Sequence, residues 1–335
     1  MKIAPIKNKK FGGVVTNVKL KNISEVECSE IKESFLELGF LLFPRQFLTD
    51  EENIHFGERF GTLEFGAQSF ANQKKNEDGT YGEILGHNIQ KMRTNLGNEY
   101  WHTDSTYRPL SSKCAILSAV KVTQEGGETE LADMRSGYAD LKESIKNRIS
   151  DLSAYHSNLY SQANDLGDFP PAEINSFNYH GEACLRPLVK IHPETGIKNL
   201  FIGRHAFGIP GLSRKENREL LNTLLAFVVS DKTRVYKHKW EVGDTLIWDN
   251  RRLLHRAKPY DYSIPRALIG TRVAGEVESE LACYPSDPET QSGRDALQSE
   301  LALLQQESGV KKFGGSTIPT SSIPVDTLSD GTVIR

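Results

Sequence analysis

Apolar residues fall in short bursts along this chain, and the bursts change period several times. Residues 11–20 alternate roughly as an early strand. Over 29–38, Ile31, Phe35, Leu36 and Leu38 stand at near-helical spacing, and Gly39 is placed to stop a helix. Gly39 to Pro44 is a buried strand ended by proline. Thr49-Asp50-Glu51-Glu52 has capping-box spacing and predicts a helix running towards Phe60-Gly61. Residues 65–98 are polar, weakly periodic and rich in Gly, Asn and Lys, which predicts one long loop leading to Trp101.

Residues 114–122 form an apolar strand, and Gly126 to Glu130 turn into another. Asp133 is placed to cap a single helix carrying Tyr138, Leu141, Ile145 and Ile149, and 151–182 read as irregular. A strand and turn cover 187–196, with His192 as a turn residue, and Phe201-Ile202-Gly203 opens the return strand. Ser213-Arg214-Lys215-Glu216 repeats the capping-box spacing before a helix with Leu220, Leu221, Leu224 and Leu225. Strands follow around 234–240, 244–249 and 266–273. Many short strands, few helices and no βαβ alternation predict an antiparallel sandwich or jelly roll. Residues 292–306 suit one polar helix, and 307–335 are rich in Gly, Ser, Thr and Pro, as an extended or disordered tail would be. The expected division is a main domain over 1–285 and a C-terminal helix and tail over 286–335.

Composition narrows the classes. A chain of 335 residues can hold one large domain or two ordinary ones. With 38% hydrophobic and 25% charged residues it reads as globular, and a net charge of −3 gives no basic field for nucleic acid or an anionic membrane. No apolar run approaches the ~20 residues of a membrane span. The basic N-terminus is not followed by an apolar leader core. Cys28, Cys114, Cys184 and Cys283 are scattered without zinc-like spacing and read as free thiols, so a cytoplasmic setting is expected. Self-association is left open.

Candidate chemistry sits in two distant motifs, Trp101-His102-Thr103-Asp104 and Asp249-Asn250-Arg251-Arg252-Leu253-Leu254-His255. In an extended segment, His102 and Asp104 point to one face. With His255 they make the two-histidine, one-carboxylate set that suits Fe(II) and leaves open coordination positions. An HxD triplet alone is weak and competes with an ordinary His–Asp hydrogen bond. Arg266, eleven residues after His255, has the fork geometry to clamp a carboxylate, against the plainer reading of an edge arginine. Thr129 can donate its hydroxyl to the same carboxylate or serve only as a β-prone strand residue. Among the other seven histidines, His205 alone invites a functional reading.

Jointly, these segments resemble the Fe(II)/2-oxoglutarate dioxygenases of the taurine dioxygenase and TfdA (phenoxyacetate herbicide dioxygenase) type. The carrying stretches are Trp101 to Thr106, Gly126-Gly127-Glu128-Thr129-Glu130-Leu131-Ala132-Asp133-Met134, His192 to Gly196, Gly243 to Arg251, and His255 to Asp261, in the family's order, within coverage from about 10 to 276. The resemblance implies a mainly β fold with flanking helices: a double-stranded β-helix, the cupin-like jelly roll. It implies His102, Asp104 and His255 as iron ligands. Arg266, assisted by Thr129, would bind the distal carboxylate of 2-oxoglutarate. O2 would be the second cosubstrate, and succinate and CO2 the coproducts.

Departures bear on the substrate. Phenoxyacetate-like members commonly carry a second arginine four residues after the cosubstrate arginine, which taurine dioxygenase uses on the substrate sulfonate; here that position is Gly270. The substrate-side histidine expected soon after Phe-Gly-x-Leu is missing, since Phe60-Gly61-Thr62-Leu63 runs into Glu64-Phe65-Gly66. Taurine is therefore not expected. The substrate-side candidates become Arg204, His205 and Arg272, with Phe207, Tyr107 and Asn95 as further lining residues. The expected reaction is oxidation of a C–H bond of a small organic acid or amino-acid-like anion. Oxidative ring closure or desaturation of an acidic amino-acid derivative uses the same iron site, and a non-catalytic jelly-roll binding protein or a zinc hydrolase are the rivals from other classes.

Overall fold

The computed structural model describes residues 1–86, 89–169, 183–283 and 287–307. His87, His180 and the tail from 308 lie outside the described residues. Two of the helices begin where capping boxes predict. Thr49 and Ser213 accept from the Glu52 and Glu216 backbone N–H groups, opening helices Asp50–Glu58 and Arg214–Ser230. A third box at Ser24 starts the first helix at Glu25, four residues before its apolar stripe, and Gly39 at φ 82° closes it.

Two antiparallel-rich sheets face each other. The larger has seven strands in the order Lys2–Pro5, Gly13–Thr16, Phe40–Phe43, Thr245–Asp249, Ser112–Lys121, Ala267–Ala274 and Leu63–Ala71. The smaller runs Val235–His238, Thr129–Asp133, Leu253–Ala257. Alternation along each strand sorts side chains between layers. Phe40, Leu42, Ala115, Leu246, Trp248 and Leu268 of the large sheet meet Leu131 and Leu253 of the small one. Leu41, Phe43, Ile116, Ile247 and Val273 point the other way, onto Ile31, Phe35 and Phe56 of the first two helices. The outer face of the small sheet, with Ala132 and Leu254, packs on the helix Arg214–Ser230 through Leu220, Leu224 and Phe227. This is the expected jelly roll, mainly β with helices outside.

Four local expectations are corrected. Residues 65–98 are not one loop: Leu63–Ala71 is the edge strand of the large sheet, Gln73–Lys75 pairs with Tyr81–Ile84, and Gln90–Gly97 is helical. An edge strand half open to solvent carries polar residues, which hid it. The helix after Asp133 breaks into Met134–Ala139 and Glu143–Ile149. Within 151–182, Ser153–His156 is a strand and Asn158–Leu166 a helix, while 170–182 lie outside the described residues. The return strand is Lys198–Leu200 and ends before Phe201, whose side chain is buried in the helix-covered core. No helix among the described residues is long and apolar enough to cross a membrane.

The helix Asp287–Glu307 is long and docked. Leu297 and Leu304 enter a cluster with Tyr155, Tyr160 and Phe207. Arg214 reaches Glu300 and Glu307 at 2.8 Å each.

Candidate active site

His102 and His255 are brought together by backbone pairing. Each donates its N–H to the other's carbonyl, at 3.0 and 2.8 Å, extending the small sheet by one bridge. Their rings lie on its inner face with centroids 4.1 Å apart. Asp104 joins them from a turn, not from the extended segment that period-two reasoning expects. The turn is sharp: Ser105 has φ 57°, a left-handed conformation uncommon for a residue with a Cβ. One potential donor atom from each of His102, Asp104 and His255 lies within 4.8 Å of the other two, and all three residues are buried.

The electrostatics suit a cation. Burial, then the neighbouring imidazole, keeps His102 well below its usual range, and burial lowers His255 to about 4. Burial alone would raise the Asp104 carboxyl, but Arg272 and the two histidines outweigh it and hold it below the carboxylate range. His102 Nδ1 donates to the Tyr100 carbonyl at 2.7 Å, which leaves its Nε2 lone pair free. Two neutral imidazoles and one ionised carboxylate, already deprotonated and converging, are a fitting donor set for Fe(II).

A cavity opens from this cluster between the sheets. Away from the cluster its lining includes Thr129 and Arg266. Arg266 is not an edge residue. It precedes an interior strand, is 7% exposed, and donates through Nη2 to the Gly127 carbonyl at 2.7 Å with the Tyr260 ring 5.2 Å from its guanidinium carbon. Burial disfavours its charge, with Tyr260, Tyr262 and Glu128 as the nearby compensation. Thr129 Oγ1 accepts from Trp240 Nε1 at 3.0 Å, so the hydroxyl proton can turn into the cavity. Leu268, Gly270 and Arg272 follow on the same face. A Cβ at Gly270 would lie 2.3 Å from the Phe70 ring, so Phe70 fills the space a larger side chain would need.

A second, more polar cavity lies on the other side of His102 and Asp104. Four substrate-side candidates line it together with Arg272: Asn95, Tyr107, Arg204 and His205. Arg204 is held by Asp165 at 2.7 Å and the Gly97 carbonyl at 2.8 Å, and its Nη2 is buried with no hydrogen-bond partner. The Gln162 Oε1 is likewise buried and without a hydrogen-bond partner. His205 is kept neutral by burial and by Arg204, with Ser161 Oγ 2.9 Å from its Nδ1. Phe207 is not at the site. It stacks on Tyr160 with centroids 4.9 Å apart, inside the cluster covered by the C-terminal helix.

Several neighbours went unread in the sequence. Asn250 donates to Asp104 Oδ2 at 3.2 Å while its own Oδ1 accepts from Trp248 Nε1, and Trp248 packs on His255. Asn250 lies inside a motif already singled out, but its partner is 146 residues away. His192 is more than a turn residue: its Nδ1 accepts from the Glu194 and Thr195 N–H groups, so its Nε2 carries the proton donated to Asp249 at 2.9 Å. That pair anchors the turn leading to Asn250.

The family model described as taurine catabolism dioxygenase TauD, TfdA family, matches residues 2–272. An (S)-phenoxypropionate/alpha-ketoglutarate-dioxygenase of Sphingobium herbicidovorans is 43% identical over 284 residues, covering 84% of this chain and 97% of that protein. An alpha-ketoglutarate-dependent 2,4-dichlorophenoxyacetate dioxygenase of Burkholderia is 33% identical over 272 residues, covering 77% and 89%. The crystal structure of AAD-2 in complex with Mn(II) and N-oxalylglycine superposes with a TM-score of 0.76 at 32% identity, covering 85% of this chain and all of that one.

Proposed function

The chain belongs to the TauD/TfdA dioxygenase family, and from that premise we propose that His102, Asp104 and His255 hold Fe(II), Arg266 and Thr129 hold the distal carboxylate of 2-oxoglutarate, and the polar cavity beyond Asp104 takes a small organic anion. The enzyme is an oxidoreductase that uses 2-oxoglutarate and O2. When bound, iron and its cosubstrates supply the oxidising power, with succinate and CO2 as coproducts. The chain's own residues bind, orient and shield. Tyr100 fixes the His102 tautomer, Arg266 sets the direction from which the cosubstrate enters, and Phe70, Leu268 and Trp248 line the space between with apolar surface.

The observation that carries this reading is the placement of three converging ligand atoms and a buried, under-compensated arginine in one cavity. The relatives named for phenoxypropionate and dichlorophenoxyacetate act on small organic anions. By analogy, the spare Arg204 Nη2 and the Asn95, Tyr107 and His205 side chains contact the substrate. Four free cysteines support a cytoplasmic setting, and the net charge of −3 supports a small molecule over nucleic acid as partner. Anaerobic addition of Fe(II) and 2-oxoglutarate should produce a visible charge-transfer band, and oxygen should then release succinate. His102→Ala should lose both; full succinate formation by that variant would show the metal assignment to be wrong.

A further inference from the structure

We propose that Arg272 is a positioning residue for the metal-ligating carboxylate, the inner member of a hydrogen-bonded chain Glu64–Ser105–Arg272–Asp104 that holds Asp104 as a one-oxygen ligand. The proposal rests on the reading of Asp104 as a ligand given above. Arg272 Nη2 donates to Asp104 Oδ1 at 2.5 Å, and Nη1 to Ser105 Oγ at 3.2 Å. The Ser105 hydroxyl in turn lies 2.7 and 2.9 Å from the two carboxylate oxygens of Glu64. Ser105 is the residue in the left-handed conformation immediately after Asp104. Its side chain is therefore gripped from two sides at the point where the backbone needs holding.

The two oxygens of Asp104 have different surroundings as a result. Oδ1 is taken by the guanidinium. Oδ2 faces His255 Nε2 at 3.6 Å and, among the described residues, accepts from the neutral Asn250 amide at 3.2 Å. A carboxylate free to turn can chelate a divalent ion through both oxygens and consume a position that a cosubstrate needs. With Oδ1 occupied, only Oδ2 is presented.

A cation this close to a metal also repels it, and Glu64 offsets that charge. Glu64 is mostly covered, and Arg108 Nε stands 3.3 Å from it on the outer side. The Phe65 ring lies beneath both guanidiniums, 4.9 Å from Arg108 and 5.3 Å from Arg272. The sheet register shows how Glu64 comes to be there. Gly270 faces Gln68, Arg272 faces Phe65 and Val273 faces Leu63, so the edge strand carries an extra residue at each step. Such bulges re-aim side chains, and Glu64 falls in the second of them.

Co(II) titration of the full-length protein, anaerobically and without 2-oxoglutarate, tests this through the visible bands of the bound ion. Arg272→Gln should bind Co(II) about tenfold more weakly and shift the bands in position and intensity, and Arg272→Lys should restore most of both. Glu64→Gln, which leaves every ligand in place, should weaken binding several-fold in the same direction and decides the matter if Arg272→Gln does not fold. Parent affinity and parent spectrum in the folded variants would overturn the proposal. Asp104→Ala that still binds Co(II) with the parent spectrum would instead remove the ligand assignment beneath it.

Discussion

Replacing Arg266 with Gln removes the buried charge that stands beside Thr129 in the main cavity. Arg266 is 7% exposed, and its guanidinium keeps N–H groups beyond the one given to Gly127. A fork bound to a carboxylate forms two charge-assisted hydrogen bonds, each worth ~1.5–3 kcal/mol net. Even the lower sum, about 3 kcal/mol, corresponds to ~150-fold in affinity. Arg266→Gln should therefore raise the dissociation constant for 2-oxoglutarate by at least about 100-fold. Arg266→Lys, keeping a point charge without the fork, should fall between. Metal binding should be unaffected, because Arg266 lies at the opposite end of the cavity from the triad. Anaerobic titration of the iron-loaded protein with 2-oxoglutarate, followed by the charge-transfer band, reads the change directly. A shift of less than about threefold would refute the assignment and return Arg266 to a purely structural role.

Two further outcomes follow from burial and close packing. Gly270→Ala drives a methyl into the Phe70 ring and should cost ~1–3 kcal/mol of stability in urea unfolding while changing substrate KM more than 2-oxoglutarate KM, since Phe70 borders both cavities; an unchanged unfolding midpoint would contradict it. His156 is buried with neither ring nitrogen hydrogen-bonded, and burial lowers its pKa from 6.5 to about 3. The unfolded chain takes up that proton below about 6.5 and the folded chain does not, so stability falls as pH drops from 6.5 towards 3, by ~2 kcal/mol at pH 5. His156→Leu should lose correspondingly less stability between pH 7 and 5, and identical slopes for the two proteins would dismiss the idea.

Some of this architecture can be read from the chain because its causes are local. Thr49 and Ser213 cap helices with partners three residues on, and the uninterrupted Phe40–Phe43 run could only be buried. The triad and Arg266 were legible as motifs whose residue types serve one chemistry. What escaped depends on distant partners. The Leu63–Ala71 strand looks like a loop because its composition reflects an edge, and only Ala267–Ala274 makes it a strand. The helix break at Asp140–Lys142 leaves Leu141, Ile145 and Ile149 all buried, so the apolar spacing carries no trace of it. Phe207, expected among the lining residues, instead stacks on Tyr160 because a helix far along the chain, Asp287–Glu307, covers it.

The docked C-terminal helix ties the polar cavity to residues far along the chain. Tyr160, Ser161 and Gln162 are consecutive on one helix, so they point to three sides of it, about 100° apart. Tyr160 faces Leu297 and Leu304, Ser161 holds His205, and Gln162 lines the polar cavity. Whatever rolls the first of these contacts turns the other two with it. On the reading that the polar cavity takes the substrate, substitutions at Leu297 or Leu304 should change substrate KM without touching the cavity wall. A search for specificity variants confined to cavity residues would overlook them.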